Sequence, residues 1–349
     1  MSSIKRVFVT HLLQQLKPEL YQKINHAVVR SNICPVVVVQ QQPPHSAIGP
    51  DCVLFTWNRH MYQGDMAIEF EKAGGHVVVF ENSYLDDLND RTYTIGYGRH
   101  NSPLEENLFS YDHCAEKIFR NFGADIRLIR EHNQRAGRKD NNILIIDQSK
   151  TIGEGSIGEL GYRQPKNWLD LAIEHAFRLN EFPNIEVRYH QNAKSSHINV
   201  MAAAASALDK RIKYTTIKNT VCDAIKVHSA KDISLDSTIM YNTHIITWNS
   251  NVVTRCILNH AISERNLHIL GKGTVLRGCS MHSLGQYSRE ADIKRICANI
   301  IHVEDIKNYL FDKIENKIYE MNKNKKLSSA VWIAPTDNFL LDAMNKYNS

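Results

Sequence analysis

The stretch THIITWNSNVVTRCIL, residues 243–258, decides the fold. An apolar, β-branched run ending at Trp248 passes into three small polar residues, Asn249, Ser250 and Asn251, and then into a segment with helical spacing, 252–261. Each of the three can cap that helix. Three in succession also leave amide and hydroxyl groups for an anionic ligand at the helix N-terminus.

The same rhythm extends to either side. Upstream lie ILIID (143–147), a helix over 168–180, IEVRYH (185–190), a helix through VMAAAASAL, DAIKVH (223–228) and a short helix near 235–241. Downstream comes LHIL (267–270). Strands alternating with helices predict a doubly wound, Rossmann-like sheet. The segment VEDIKNYLFDKIENKIYEM carries Ile306, Leu310, Ile314 and Ile318 on one face, as an amphipathic helix that packs on the sheet or crosses back to the first half.

Before residue 131, CPVVVVQ (34–40), DCVLFTW (51–57) and HVVVF (76–80) are short β-branched runs, and MAIEFEKAG has helical spacing, so parallel strands with crossover helices are expected there too. Between the halves, EHNQRAGRKDNN is almost free of apolar side chains and reads as a linker. The expected division is 1–130, linker 131–142, 143–300, and C-terminal helices over 301–349 packing back across the domains. A chain of 349 residues is about twice a typical single domain, which agrees.

Composition excludes several classes. Hydrophobic residues at 43% and charged residues at 23% are those of an ordinary globular protein. No stretch approaches the roughly 18 apolar residues of a membrane span, and His11 and Gln14 interrupt VFVTHLLQQL before a signal-peptide core forms, so a cytoplasmic, membrane-free protein is expected. The seven cysteines show no CxxC pair or metal spacing and read as reduced and structural; no metal site is evident. A net charge of +5 permits a polyanionic partner without demanding one. A monomer or weak oligomer is expected.

Ligands of open α/β sheets bind beyond the carboxyl ends of the strands, so the residues after each strand matter most. After ILIID, the segment QSKTIGEGSIGELG brings Gly153, Gly155 and Ser156, either a cradle for phosphate or sugar or a plain flexible loop. Arg188 and His190 end another strand two residues apart, on one face, and either grip a diphosphate or face solvent. Ser229 and Lys231 follow a third strand, with Asp232 and Ser234 as helix caps. In the first half, Glu81, Asp86 and Asp87 cluster at a strand end, as a general base or as solvated loop acids.

Two segments carry a likeness. VRYHQN resembles the vRxHP segment, and IITWNSNVVTRC the vvTxNSxxxxEA segment, of GT-B glycosyltransferases, most closely capsule-type sugar transferases and the glycosyltransferases of bacteriophages. Gln191 stands where Pro is usual, and Arg255 and Cys256 where Glu and Ala are usual, so the customary ribose clamp is absent. VLFTWNRH followed by HVVVFENSYLDD resembles the phage-type pattern in the first half. The resemblance implies two Rossmann-like domains facing a cleft, the first for an acceptor and the second for a nucleotide-sugar donor, a UDP-sugar. It implies donor contacts from Arg188, His190, Asn249, Ser250 and Asn251, to which the strand-end reading adds Gly153, Gly155, Ser156 and Ser229, and a base among Glu81, Asp86 and Asp87. The phage likeness further implies hydroxymethylated pyrimidines of double-stranded DNA as acceptor, with Trp57, Arg59 and Tyr84 in contact and Tyr93 or Tyr97 as further stacking candidates for a flipped base. The same aromatic residues serve equally well in a core. A capsule or cell-wall glycan is the alternative acceptor, and a non-catalytic nucleotide-binding module the alternative function.

Overall fold

The computed structural model describes residues 4–33, 35–59, 62–83, 92–98, 108–120, 142–146, 168–180, 183–189, 225–229, 238–239, 242–248, 267–270 and 289–325. They form two α/β sheets, both built mainly from parallel strands.

The first sheet starts with β1 (Arg6–Thr10), which runs without a break into α1 (His11–Leu16) because Thr10 is both last strand residue and helix cap, its hydroxyl accepting from Leu13 N–H. A second helix, α2 (Pro18–Arg30), opens on proline, has Glu19 in its first turn and Arg30 in its last, and buries Leu20, Ile24, Ala27 and Val28 along one stripe. β2 (Val37–Val39), β3 (Cys52–Trp57), α3 (Tyr62–Lys72) and β4 (His76–Asn82) follow. Every residue of β3 is buried, as a central strand covered on both faces must be. Val53, Phe55 and Trp57 join the core shared with α2, while Cys52 and Leu54 join the one built on Met66, Ala67 and Phe70 of α3. Gly74, at φ +89, and Gly75 end α3; a side chain on Gly75 would run into the Phe70 ring.

The expected strands β2, β3 and β4 do lie in parallel array around β1, and β5 (Thr92–Tyr97) adds an antiparallel pairing with β4. The interval from Asn82 to Thr92 is too short for a crossover of a dozen or more residues, so the chain can only turn back. With β11 (Ile300–His302), which joins from the end of the chain, the order is β11-β5-β4-β3-β1-β2, with β1 and β3 at the switch in direction.

The second sheet contains β6 (Asn142–Ile146), β7 (Asn184–Tyr189), β8 (Ile225–Ser229), β9 (His244–Thr247) and β10 (Leu267–Ile269), all parallel, in the order β10-β9-β6-β7-β8. Numbered by appearance this is 5-4-1-2-3, the Rossmann order, with its switch between β6 and β9. Helix α4 (Trp168–Leu179) covers one face, packing Trp168, Ala172, Ile173 and Ala176 on Ile143, Ile145, Ile185, Val187 and Ile246.

The chain then returns to the first sheet through α5 (Arg289–Ala298), β11 (Ile300–His302) and α6 (Val303–Lys325). β11 pairs antiparallel with β5, Asn299 accepts from the N–H groups of Ile95 and Phe109, and the Lys294 ammonium sits over the rings of Tyr111 and Phe119. The chain from Lys294 onward is thus in contact with elements of the first sheet. Ile306, Leu310, Phe311, Ile314 and Ile318 of α6 enter the same core as α2 and the first sheet. Each contributes about 2 kcal/mol by leaving water. Lys313, its side chain 2% exposed, pairs with Asp112 at 2.7 Å and fastens α6 to the helical segment 113–120.

Candidate functional site

In the second sheet, register brings three residues level at the switch point: Ile146 of β6 stands opposite Arg188 of β7 on one side and Thr247 of β9 on the other. Their neighbours Ile145, Val187 and Ile246 face α4, so by alternation this row faces away from it. Tyr189 and Ser229 are level one step further along β7 and β8.

Arg188 is buried, 8% exposed, and its Nη1 donates to Thr238 Oγ1 at 3.3 Å. The segment carrying Thr238 is held in turn by Asn242, whose Nδ2 donates to Glu186 Oε2 at 2.6 Å and to the Thr238 carbonyl at 2.8 Å. The guanidinium is thus anchored beneath the residues that lead into β9. Thr247 is fully buried, yet its hydroxyl has no hydrogen-bond partner, and neither has the buried indole N–H of Trp248 next to it. A hydroxyl left this way costs about 1–3 kcal/mol, so the edge of β9 carries unmet polar capacity.

His190, Gly153, Gly155, Ser156, Asn249, Ser250, Asn251, Tyr84, Asp86 and Asp87 lie outside the described residues. β6 ends one residue before Asp147 and the glycine-rich segment, and β9 ends two residues before Asn249. Both expected loops therefore follow directly from strands that flank the switch.

The first sheet reassigns two expected acceptor contacts. Trp57 is 5% exposed and belongs to the core, edge-on to Tyr93 at 6.2 Å between ring centroids and capped by the Lys17 ammonium 4.5 Å away. Arg59 is turned inward: its guanidinium makes two 3.0 Å bonds to the Glu71 carboxylate and one to the Gly98 carbonyl, with 2% of the side chain exposed. Both side chains are spent inside the first sheet's own packing. Tyr93 and Tyr97 are buried too. Burial, with Glu71 nearby, pushes the Tyr97 hydroxyl well above its ordinary range, and it meets His76 Nδ1.

Glu81 does stand at the carboxyl edge, half-buried in β4, its Oε1 accepting from Asn82 N–H at 2.9 Å. Beside it is a residue that sequence reasoning missed. Lys17, between α1 and α2, donates to Asn82 Oδ1 at 3.0 Å and lies over the Trp57 ring, so its charge is fixed by neutral partners. Nothing in the local sequence marks it.

At the first switch point the polar groups satisfy one another. Gln63 Oε1 lies 2.9 Å from the hydroxyls of Thr10 and Thr56, and its Nε2 donates to the Trp57 carbonyl at 2.8 Å and to Asn58 Oδ1 at 3.3 Å. This holds Asn58 in the left-handed region, φ +52, where the chain leaves β3. All five residues are buried.

Cys52, Cys114 and Cys297 are free, buried thiols, as expected for structural cysteines, and burial above all pushes those of Cys114 and Cys297 up to about 12. Among the described residues no helix is long and apolar enough to cross a membrane, and no three His, Cys, Asp or Glu side chains are arranged to hold a metal ion.

No protein-family model matches the chain, and no curated protein does. Among solved structures it is similar to the beta Kdo 2,7 transferase KpsC of Thermosulfurimonas dismutans, at 10% identity and a TM-score of 0.46, over 91% of this chain and 100% of that one. Likeness at that level fixes no activity.

Proposed function

We propose that the protein is a nucleotide-sugar-dependent glycosyltransferase of GT-B architecture, its two sheets facing a cleft with the donor at the carboxyl edge of β7-β6-β9. The orphaned Thr247 hydroxyl carries this reading. It stands at the switch point of a Rossmann-ordered sheet, in one row with a buried arginine, and a bound donor would supply the partner it lacks.

The chemistry asks for three things. The leaving diphosphate gathers negative charge as the bond to the anomeric carbon breaks, and Arg188, with His190 and the Asn249–Ser250–Asn251 turn, would compensate it. The acceptor hydroxyl must lose a proton as its oxygen attacks that carbon, and Glu81 is the described carboxylate at the opposing edge that could take it. The acceptor must also be positioned, and Lys17 gives that edge a fixed cation.

For the acceptor, the resemblance favours hydroxymethylated pyrimidines in duplex DNA over a capsule-type glycan. Trp57, Tyr93 and Tyr97 drop out as stacking partners for a flipped base because they are core residues. The test incubates the protein with UDP-sugars and other nucleotide sugars, alone and with hydroxymethylated DNA or a glycan acceptor, then follows donor consumption and the mass of the digested nucleosides. Sugar-sized gain on the modified base supports the DNA acceptor; transfer to glycan alone moves the assignment to the capsule type. No donor turnover under any condition would leave a nucleotide-binding module.

A further inference from the structure

Away from these edges, the α4 side of the second sheet holds three histidines in a hydrogen-bonded chain. His175 of α4 places Nε2 3.1 Å from Nδ1 of His268 on β10, and Nε2 of His268 lies 3.2 Å from Nδ1 of His244 on β9. Ring centroids are 4.8 Å and 5.4 Å apart along the chain. All three are partly buried. His268 uses both ring nitrogens, so the middle ring ties edge strand β10 both to its neighbour strand and to the covering helix.

Proton counting sets what this chain can do. Each N···N contact needs one hydrogen between its two nitrogens: none leaves two lone pairs opposed, and two leaves two N–H groups opposed. Three neutral imidazoles carry three hydrogens. Two occupy the contacts and the third sits on an outer nitrogen, His175 Nδ1 or His244 Nε2. One more proton fits on the other outer nitrogen with both contacts intact. A second has nowhere to go except into a contact, which it breaks while placing two imidazolium charges within one three-ring chain. We propose that this chain is an acid-released clamp: it holds α4 and β10 to β9 through the uptake of one proton and lets go on uptake of the second.

The surroundings favour the low-proton state. Burial first, then Arg178 one turn along α4 and His244, hold the His175 pKa below its ordinary 6.5. A lowered histidine pKa means that the folded state binds fewer protons than the unfolded one; its contribution is complete above about 6.5 and is lost as pH falls through the folded value. Among the described residues, α4 brings two other charged side chains close in sequence to His175, Glu174 and Arg178, while β6, β9 and β10 bring none besides these histidines.

The experiment is peptide-resolved hydrogen exchange of the whole chain at pH 7.5 and 5.0, corrected for intrinsic rates, alongside 15N spectra of the histidine rings. Protection over 168–180, 242–248 and 267–270 is expected to fall at least about tenfold at pH 5.0, one pK unit of linkage, while 52–57 and 76–82 stay unchanged. The rings should take up one proton, then two more together at the pH where protection fails. In His268→Leu the outer rings should titrate one by one and the selective pH effect should disappear. If that variant does not fold, the ring spectra of the wild type decide alone. Three independent one-proton titrations, or equal protection at both pH values, would overturn the clamp.

Discussion

Replacing Thr247 by Val tests the donor edge through two effects of opposite sign. Thr247 is fully buried in β9 and its hydroxyl has no partner. Valine keeps the γ-branching and the β preference of the strand and removes only the desolvated oxygen. Unfilled, that oxygen costs about 1–3 kcal/mol, so the variant should gain about 1–2 kcal/mol once small packing losses are subtracted. The urea midpoint should rise at unchanged slope, the signature of a stability change without a change in the surface exposed on unfolding. Donor binding should move the other way, because a hydrogen bond made on binding is worth about 0.5–1.5 kcal/mol net, roughly a two- to tenfold loss in affinity by calorimetry. A fall in stability of more than about 1 kcal/mol would mean that the hydroxyl is satisfied in the free protein. Unchanged nucleotide-sugar affinity would remove Thr247 from the site. Either result refutes the reasoning.

Other expectations follow from the same physics. Gln42 has a buried carboxamide with neither its oxygen nor its nitrogen bonded, so Gln42→Met, of similar volume, should raise the urea midpoint by the equivalent of about 2 kcal/mol. Arg59→Met should cost about 2–3 kcal/mol, less than a fully buried pair because Glu71 is 36% exposed, and Glu71→Gln should cost less again; equal losses would contradict the asymmetric burial. Lys17→Met should raise the acceptor KM and flatten its salt dependence while donor hydrolysis is unchanged, and an altered hydrolysis rate would place Lys17 elsewhere in the reaction. Thiols held at about 12 in the fold against 9.0 in the open chain make Cys114 and Cys297 stabilising below pH 9 and progressively less so as pH rises through 12. At pH 8 only roughly one in ten thousand of each is thiolate, so both should resist alkylation until the protein unfolds, and rapid native labelling would refute their burial.

What was legible in the sequence follows from what each element packs against. CVLFTW and HVVVF read as strands because burial on both faces demands uninterrupted apolar runs, and 303–321 read as a helix because one stripe carries its apolar contact with α2 and the sheet. β1 escaped because Thr10 leaves no turn residue between strand and helix. β5 and β11 escaped for another reason: TYTIGY and IIH are short, and their pairing spans the entire second sheet. Among site residues, Arg188 and Glu81 were legible as charged groups at strand ends. Trp57 and Arg59 share that position, and only tertiary contacts with Tyr93, Lys17, Glu71 and Gly98 show that they turn inward. An orphaned hydroxyl such as that of Thr247 is invisible in principle, since it is defined by what fails to surround it.

That criterion also separates the two switch points, which topology alone makes equivalent. At β1/β3 the Gln63 carboxamide meets the two threonine hydroxyls, the Trp57 carbonyl and Asn58, and a ligand arriving there would have to break bonds already made inside a buried network. At β6/β9 the row ends in a hydroxyl with no bond to lose, level with a buried arginine that donates to the Thr238 hydroxyl. The first arrangement resists a ligand and the second gains from one. Polar saturation therefore favours the second sheet as the donor side independently of the NSN motif. It also moves any acceptor contact on the first sheet outward, from the closed center of β1 and β3 to the β4 edge, where Glu81, Asn82 and Lys17 stand together.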